Sequence, residues 1–228
     1  MNGSSVTRAF TELRQLIVCG HLPPGSWVVE AHVAERLGLS RTPVHAALQR
    51  LHHEGYVVTH QGARRGRVLI APLTREDARE LYAIVGHLEV FASKLVVALP
   101  PRDRMRLADE LVAFNGELHA IASRQPPDPR RVFDIDKAFH AAIVAAAGGS
   151  RLAALHQSVT PQVERYWRLY ASSIINELHL SVAEHAAIIQ ATRSGDAGAI
   201  AAAVRQNWDG GFERISRLIE VFGERGSW

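Results

Sequence analysis

The sequence has little cysteine, little lysine, few aromatic residues and no long apolar run. Cys19 is the single cysteine in 228 residues, so no disulfide can form within the chain and a reducing cytoplasm is expected. No apolar stretch approaches the roughly 20 residues that a membrane-spanning helix needs, and the N-terminal sequence MNGSSVTRAF lacks the apolar segment of a signal peptide. These absences predict a cytoplasmic protein without membrane segments and exclude a disulfide-stabilised secreted domain.

Positive charge is concentrated in the N-terminal third of the chain. Residues 1–72 carry 8 arginines and 4 glutamates, whereas residues 73–228 carry 18 basic and 19 acidic side chains. This asymmetry is typical of a chain with a nucleic-acid-binding half. A chance cluster of arginines would give the same charge balance, so a DNA-binding motif in the same residues is needed to support this interpretation.

Residues 30–54, EAHVAERLGLSRTPVHAALQRLHHE, supply that motif. Two helical patterns, at 30–37 and 41–54, are separated by Gly38-Leu39-Ser40, and a short turn with glycine between two helices is typical of a helix-turn-helix. The second helix of this motif enters the DNA major groove, where its first residues meet the base edges. The candidate DNA-binding residues at this helix start are Ser40, Arg41, Thr42, Pro43 and His45.

Two strand patterns follow the second helix, at 56–60 and 67–70, and the turn QGARRG joins them. Two short strands around a basic turn predict a wing, in which Arg64 and Arg65 reach phosphate or the minor groove. A solvated basic loop is the alternative for these two arginines. Together with a helix at 6–20, these elements predict a winged helix-turn-helix domain over residues 6–72.

From residue 74 onwards the sequence predicts helices only. Apolar periodicity and breaks at proline and glycine define them, and abundant alanine favours them. The fold class that we expect is mainly α: an N-terminal winged helix-turn-helix, then an all-helical antiparallel bundle over residues 74–224. The predicted bundle helices are 75–98, 102–123, 129–147, 151–176, 181–194 and 196–222.

Polar residues interrupt the apolar faces of three of these helices. Asp136 and His140 are four residues apart, so they share one helix face that borders an apolar stripe. His185 and Asn207 fall on the apolar stripes of two further helices. Buried polar groups need partners, and one shared site would provide them. A lone inward histidine is usually a core residue, but aspartate and two histidines in this arrangement favour a divalent metal.

In the order and spacing of several short motifs, the chain resembles the FadR subfamily of GntR-family transcription regulators. The resemblance covers nearly the whole length, and its C-terminal part is similar to the ligand-sensing FCD domain. The motifs that carry it are LPPG (22–25), AERLG (34–38), SRTPV (40–44), DKAFH (136–140), EH (184–185) and SGD (194–196).

The resemblance implies a homodimer that binds a near-palindromic operator in double-stranded DNA. It implies that a small effector, an organic or sugar acid, binds the helical domain and releases the DNA. By position, Arg36 and Arg41 match DNA contacts of the family, and Arg41 is the candidate for a bidentate contact to guanine. A surface charge is the alternative for Arg36. His45 is a departure, because the family commonly has arginine there.

The resemblance also implies a divalent metal, zinc or nickel, held by one aspartate and three histidines. Asp136, His140 and His185 match three of these ligands, while Asn207 stands in the place of the third histidine. An amide oxygen is a weaker ligand than imidazole for these metals. Three possibilities therefore stay open: a three-ligand site with open positions, a site too weak to fill, and a pocket that binds its effector without metal.

A second departure concerns the effector. Val85 occupies a part of the first bundle helix where the family often has an arginine that could hold an acid. Arg165 and Arg168 could supply this charge, with Asn207 as a further effector contact, although salt bridges between helices would explain both arginines equally.

The function that these residues predict is an operator-specific transcription regulator, acting as a repressor under the control of an effector. The alternative is a metal-dependent enzyme with an accessory DNA-binding head, in which Asp136, His140 and His185 would activate water. No general base is evident beside them. A sequence-indifferent architectural DNA binder is a third possibility, which the modest positive charge disfavours.

Overall fold

The computed structural model describes residues 2–60, 67–123 and 128–226. Arg64 and Arg65, the predicted wing arginines, lie outside the described residues. The chain divides into two compact units. We call Met1–Arg75 with Phe222–Trp228 the N-terminal unit, and Glu76–Val221 the helical unit.

Three helices form the body of the N-terminal unit, namely α1 (Asn2–Val18), α2 (Glu30–Leu37) and α3 (Arg41–His53). They pack around one apolar core in which Leu13, Leu51 and Tyr56 are completely buried. α2 ends at Gly38, whose φ of 62° lies in the left-handed region that favours glycine. The chain then turns into α3, which confirms the predicted helix-turn-helix.

A small antiparallel sheet completes the N-terminal unit. Its strands are β1 (Trp27–Val28), β2 (Val57–His60) and β3 (Arg67–Ile70), in the order β1-β3-β2. Val57 pairs with Ile70 and His60 with Arg67, so β2 and β3 are the two strands of the predicted wing. Trp27-Val28 pairs with Leu69 and Val68 on the other edge of β3.

The C-terminal tail, residues 223–226, packs in the N-terminal unit. Leu73 donates its backbone N–H to the carbonyl of Arg225 at 2.8 Å, and Arg225 donates back to Leu73 at 3.1 Å. Gly25 and Gly226 lie so close that a Cβ on Gly25 would be 2.5 Å from the Cα of Gly226. The sequence pattern did not predict this pairing, since it involves only one backbone bridge and two glycines.

The helical unit consists of helices over its described length, as the apolar periodicity predicted. None of the described helices is both long and apolar enough to cross a membrane. The start of α8 lies earlier than predicted, because a 3-10 turn keeps the preceding residues helical. The elements are α4 (Arg75–Val97), α5 (Pro101–Ala122), α6 (Pro129–Ala147), α7 (Ser150–Ile174), a 3-10 turn (Ile175–Glu177), α8 (Leu178–Ser194) and α9 (Ala197–Phe222).

Apolar packing fixes the rotation of α6 within this unit. Phe139 and Ile143 are fully buried in a cluster with side chains of α4, α5, α8 and α9. Val132 and Ile135 are buried in a second cluster with α5 and the start of α8. Because these side chains anchor α6 on both sides, the polar residues at positions 136 and 140 face the interior.

Candidate functional site

The start of α3 presents an exposed polar surface. Ser40, Arg41 and Thr42 are exposed and Pro43 is half-buried, whereas Val44 directly after them is fully buried in the core. Ser40 precedes the helix, but its side chain makes no capping hydrogen bond. Its hydroxyl is therefore available to a phosphate, which is a common role of serine at a DNA interface.

The two arginines that the resemblance assigned to DNA are also exposed. Within the described part of the chain, neither Arg36 nor Arg41 has a hydrogen-bond or ion-pair partner. A guanidinium without an intramolecular partner keeps all five donors for a ligand. The structure places both arginines near the helix-turn-helix turn, Arg36 at the end of α2 and Arg41 at the start of α3.

His45 differs from these arginines because protein groups hold its ring. Its Nδ1 lies 2.8 Å from the Glu30 carboxylate, and the Gln49 amide lies 3.2 Å from its Nε2. The ring is exposed, but a carboxylate stands beside the position where the family commonly has arginine. The structure thus places a negative charge next to this part of the predicted DNA-binding surface.

In the helical unit, the structure brings three predicted metal ligands together. Asp136 and His140 come from α6 and His185 from α8, and one ligand atom of each lies within 4.8 Å of the others. His185 Nε2 is 3.5 Å from Asp136 Oδ1. A carboxylate and two imidazoles at this separation could share one divalent ion.

Of the three predicted metal ligands, His185 is the one whose ring nitrogens most clearly need a binding partner. Its side chain is completely buried, and neither ring nitrogen has a hydrogen-bond partner among the described residues. The ring stacks on Phe139, with centroids 3.8 Å apart. Burial and the charge of His140 lower the pKa of His185 well below its usual value. The imidazole is therefore neutral, which is the state that binds a metal.

His140 is oriented by a carboxylate that the sequence analysis did not single out. Its Nδ1 lies 2.6 Å from Glu89 Oε2, so this nitrogen donates to the carboxylate and Nε2 is left for a metal. Glu89 also accepts hydrogen bonds from His156 Nε2 at 2.9 Å and from Trp208 Nε1 at 2.8 Å. A charged residue on the apolar face of α4, between Val85 and Val90, is the sequence signal that could have revealed it.

Glu89 and His140 form a buried ion pair. Burial would raise the pKa of Glu89, but the charge and hydrogen bond of His140, with those of His156, lower it to about 2. Burial likewise disfavours a charged His140, yet the charge and hydrogen bond of Glu89 raise its pKa to about 9. Burial raises the pKa of Asp136. Without metal, His140 is therefore the protonated histidine of the cluster at neutral pH.

Asn207 lies next to this cluster but is held by a second carboxylate. Its Nδ2 donates to Glu184 Oε2 at 2.9 Å, and Arg214 donates two hydrogen bonds to the same carboxylate, at 2.8 and 2.9 Å. The amide nitrogen is thus used within the protein. Its carbonyl oxygen is the atom left as a ligand.

A cavity of about 700 Å³, open mouth included, runs beside these groups. Asp136, His140 and Asn207 line it, whereas Arg165 and Arg168 do not. Arg168 instead donates to Glu164 at 2.6 Å, and Arg165 is buried. The cations of the wall are Arg214 and Lys137. Arg214 lies two helical turns after Asn207 on α9, and the sequence analysis, which considered cations of α4 and α7, did not single it out.

The comparisons with known proteins agree with this architecture. Residues 6–65 match the family model of bacterial regulatory proteins of the gntR family, and residues 80–210 match the FCD domain. A Bacillus subtilis gluconate operon transcriptional repressor is 24% identical over 219 residues, which cover 94% of this chain and 86% of that protein.

Another relative is an HTH-type transcriptional regulator of Agrobacterium vitis, 30% identical over 145 residues, which cover 62% of this chain and 80% of that protein. The crystal structure of a transcriptional regulator from Rhodococcus sp. RHA1 has a TM-score of 0.70 at 24% identity, covering 93% of this chain and 97% of that chain.

These relatives and both domain types are transcription regulators, and the alternative of a metal-dependent enzyme finds no support. A helix-turn-helix with exposed arginines and a helical unit with a cavity are the two parts that such a regulator needs. The chain belongs to the GntR family of bacterial transcription regulators, with an FCD domain as its effector-binding half.

Proposed function

We propose that this regulator is a repressor of the FadR subfamily that acts as a homodimer on a near-palindromic operator in the cytoplasm. Two copies of a helix-turn-helix related by twofold symmetry recognise two half-sites of opposite direction. Arg41 reads a guanine, while Arg36, Ser40 and Thr42 bind phosphate or base edges. Their exposure and the absence of partners for both arginines among the described residues support this assignment.

The other predicted DNA contacts are part of the same proposal. Pro43 begins the first turn of α3, where the missing N–H would have no helical partner. His45 contributes less than an arginine would, because Glu30 holds its ring. Arg64 and Arg65 at the wing turn remain predicted contacts to phosphate or the minor groove.

The metal site is the second part of the proposal. Asp136, His140 through Nε2 and His185 hold one zinc or nickel ion. The observation that carries this assignment is the buried ring of His185, whose nitrogens have no hydrogen-bond partner in the described part of the chain. When bound, the ion supplies positive charge and coordination positions that an acidic effector can take. Asn207 is a weak fourth ligand at best, because oxygen of an amide binds these metals less well than imidazole.

An effector that occupies the cavity shifts the regulator between DNA-bound and released forms. Such a ligand acts only if it prefers one form over the other. The gluconate operon repressor of Bacillus subtilis is a relative along most of the chain, and we therefore place the effector among organic acids and sugar acids. Asn207 is positioned to contact it, whereas Arg165 and Arg168 lie away from the cavity wall.

The experiment is selection of genomic DNA fragments by the purified protein, followed by fluorescence anisotropy on the selected operator. We expect tight binding to one near-palindromic sequence and weak binding to a scrambled duplex of the same composition. Equal affinity for all fragments would contradict the proposed function. Size-exclusion chromatography with light scattering, with and without operator, tests the homodimer.

A further inference from the structure

The effector cavity has a polar end and an apolar end. On α6, His140 and Asp136 line the polar end and Phe133 lines the wall two turns earlier, which is about 10 Å along the helix axis. On α9, Asn207 and Ile215 line the same cavity and are separated by about 12 Å along that axis. α6 thus changes from polar to apolar side chains along the cavity, whereas on α9 the cation Arg214, paired with Glu184, lines the wall beside Ile215.

α7 shows the same change. Thr160 lines the cavity near the polar end, because its hydroxyl donates to the carbonyl of His156, whose ring in turn meets Glu89. Further along α7, Val163, Trp167 and Ile174 line the wall.

Hydrogen bonds to Glu89 show that the polar ends of α6, α7 and α9 meet, and one ring contact joins α6 and α7 at the apolar end. Glu89 accepts from His140 of α6, His156 of α7 and Trp208 of α9, and so gathers their polar ends. At the other end, the rings of Phe133 and Trp167 have centroids 5.3 Å apart. The apolar side chains that line the cavity are Phe133, Val163, Trp167, Ile174 and Ile215, and the cavity is also lined by Tyr82, Lys137, Ser181 and Arg214.

The charges of the cavity leave no cation for a second anionic group. Arg214 is paired twice with Glu184, and Lys137 lies 3.6 Å from Glu164. In the described residues, these two and His140 are the cationic side chains of the wall. A ligand with a carboxylate at each end would therefore meet an apolar wall with its second charge, which is strongly unfavourable.

We propose that the effector is an amphipathic monocarboxylate, with an oxygen-donor head at the Asp136–His140–His185 cluster and an apolar tail along the wall from Val163 to Ile215. This inference rests on the proposed effector site. Among the acids of the proposed function it favours those with an alkyl tail over polyhydroxylated sugar acids, because sugar hydroxyl groups would lose water against the apolar side chains of the wall.

The test compares two acids with the same six-carbon skeleton and the same 2-hydroxycarboxylate head. Isothermal titration calorimetry of the zinc-loaded full-length protein measures binding of 2-hydroxyhexanoate and of gluconate. We expect 2-hydroxyhexanoate to bind at least about tenfold more tightly. In the series 2-hydroxybutyrate, 2-hydroxyhexanoate and 2-hydroxyoctanoate, affinity should rise by up to about fourfold per buried methylene.

Substitutions in the cavity wall distinguish a loss of binding of the apolar tail from a general effect on the fold. Val163→Thr and Ile215→Thr each place a hydroxyl in the cavity wall and should reduce the gain in affinity with chain length, while the zinc stoichiometry stays the same. Val112→Thr is the matched control, because Val112 is exposed on α5 and outside the cavity. If one wall variant fails to fold, as judged by thermal unfolding, the other carries the test.

Gluconate binding as tight as that of 2-hydroxyhexanoate, or affinity independent of chain length, would overturn the proposal. Operator anisotropy in the same samples tests the proposed function separately. If the longer acids bind in the expected order and the operator stays bound, the ligand class stands and the proposed regulation fails. If gluconate alone releases the operator, the regulation stands and the ligand class is wrong.

Discussion

His140 Nδ1 and Glu89 Oε2 lie 2.6 Å apart, in a position where both side chains are removed from water. The hydrogen bond occupies Nδ1 of His140 and leaves Nε2 as the nitrogen that can bind a metal. A buried carboxylate of α4 therefore orients a predicted metal ligand of α6.

Glu89→Gln tests this relationship. The amide keeps the shape but loses the charge that holds His140, so we expect zinc affinity to fall by about 10–100-fold. Competition with a chromophoric chelator measures the change. Glu110→Gln, on an exposed position of α5, is the matched control. Unchanged zinc affinity in Glu89→Gln would show that the carboxylate does not act on the metal site.

Zinc binding should release a proton. The pKa of His140 is raised to about 9 by Glu89, whereas burial holds that of His185 well below its usual value. At neutral pH the ion therefore displaces about one proton, from His140. Zinc affinity should rise with pH and level off above about pH 9, where the proton is already lost.

Calorimetric titrations of zinc in buffers with different ionisation enthalpies measure this proton. The observed binding enthalpy should vary with the ionisation enthalpy of the buffer, with a slope of about one. An enthalpy independent of buffer would contradict the buried ion pair.

Asn207→His restores the ligand type that the family resemblance leads one to expect. Imidazole binds zinc more strongly than an amide oxygen does, so zinc affinity should increase by at least about tenfold. The visible spectrum of the cobalt-loaded protein would report the added nitrogen ligand. The same affinity and spectrum in both proteins would show that position 207 lies out of reach of the ion.

Arg41→Ala should weaken operator binding by about 1–3 kcal/mol and relax the preference at one base pair of each half-site. Anisotropy on the operator and on single-base variants measures both effects. Arg102→Ala removes the same charge from an exposed position of the helical unit and serves as control. A uniform loss over all base variants would assign Arg41 to phosphate instead.

Gly25→Ala tests the close approach of the C-terminal tail. Gly20 and Gly25 both have φ of 75°, but a Cβ on Gly20 meets nothing within 4 Å, whereas one on Gly25 meets Gly226. Gly20→Ala should lower the free energy of unfolding by about 1 kcal/mol through backbone strain. Gly25→Ala should lower it further, and urea unfolding measures the difference. In a chain that ends at Gly223, the two substitutions should lower the free energy of unfolding by equal amounts. Equal effects in the full chain would show that the tail does not press on this turn.

The elements that the sequence predicted correctly are those in which a pattern repeats along one helix or turn. The periodicity of α4 to α9 and the glycine turn between α2 and α3 predicted the helices and the helix-turn-helix, because burial of one face determines such elements locally. Asp136 and His140 were placed on a common face for the same reason.

The partners of these residues could not be predicted in the same way. Glu89, His156 and Trp208 lie on three different helices, and their meeting depends on how those helices pack. Arg214 was missed for a similar reason, since its pairing with Glu184 joins α8 and α9. A single sequence gives the face of each helix but not the rotation of one helix against another.

The bridge between Leu73 and Arg225 links the folding of the N-terminal unit to the translation of the helical unit. Residues 223–226, which lie against Leu73 and Gly25, follow the helical unit in the chain. The N-terminal unit can therefore gain these contacts only after the helical unit has been translated. A newly made chain has its sensor helices outside the ribosome before its DNA-binding unit has all of these contacts.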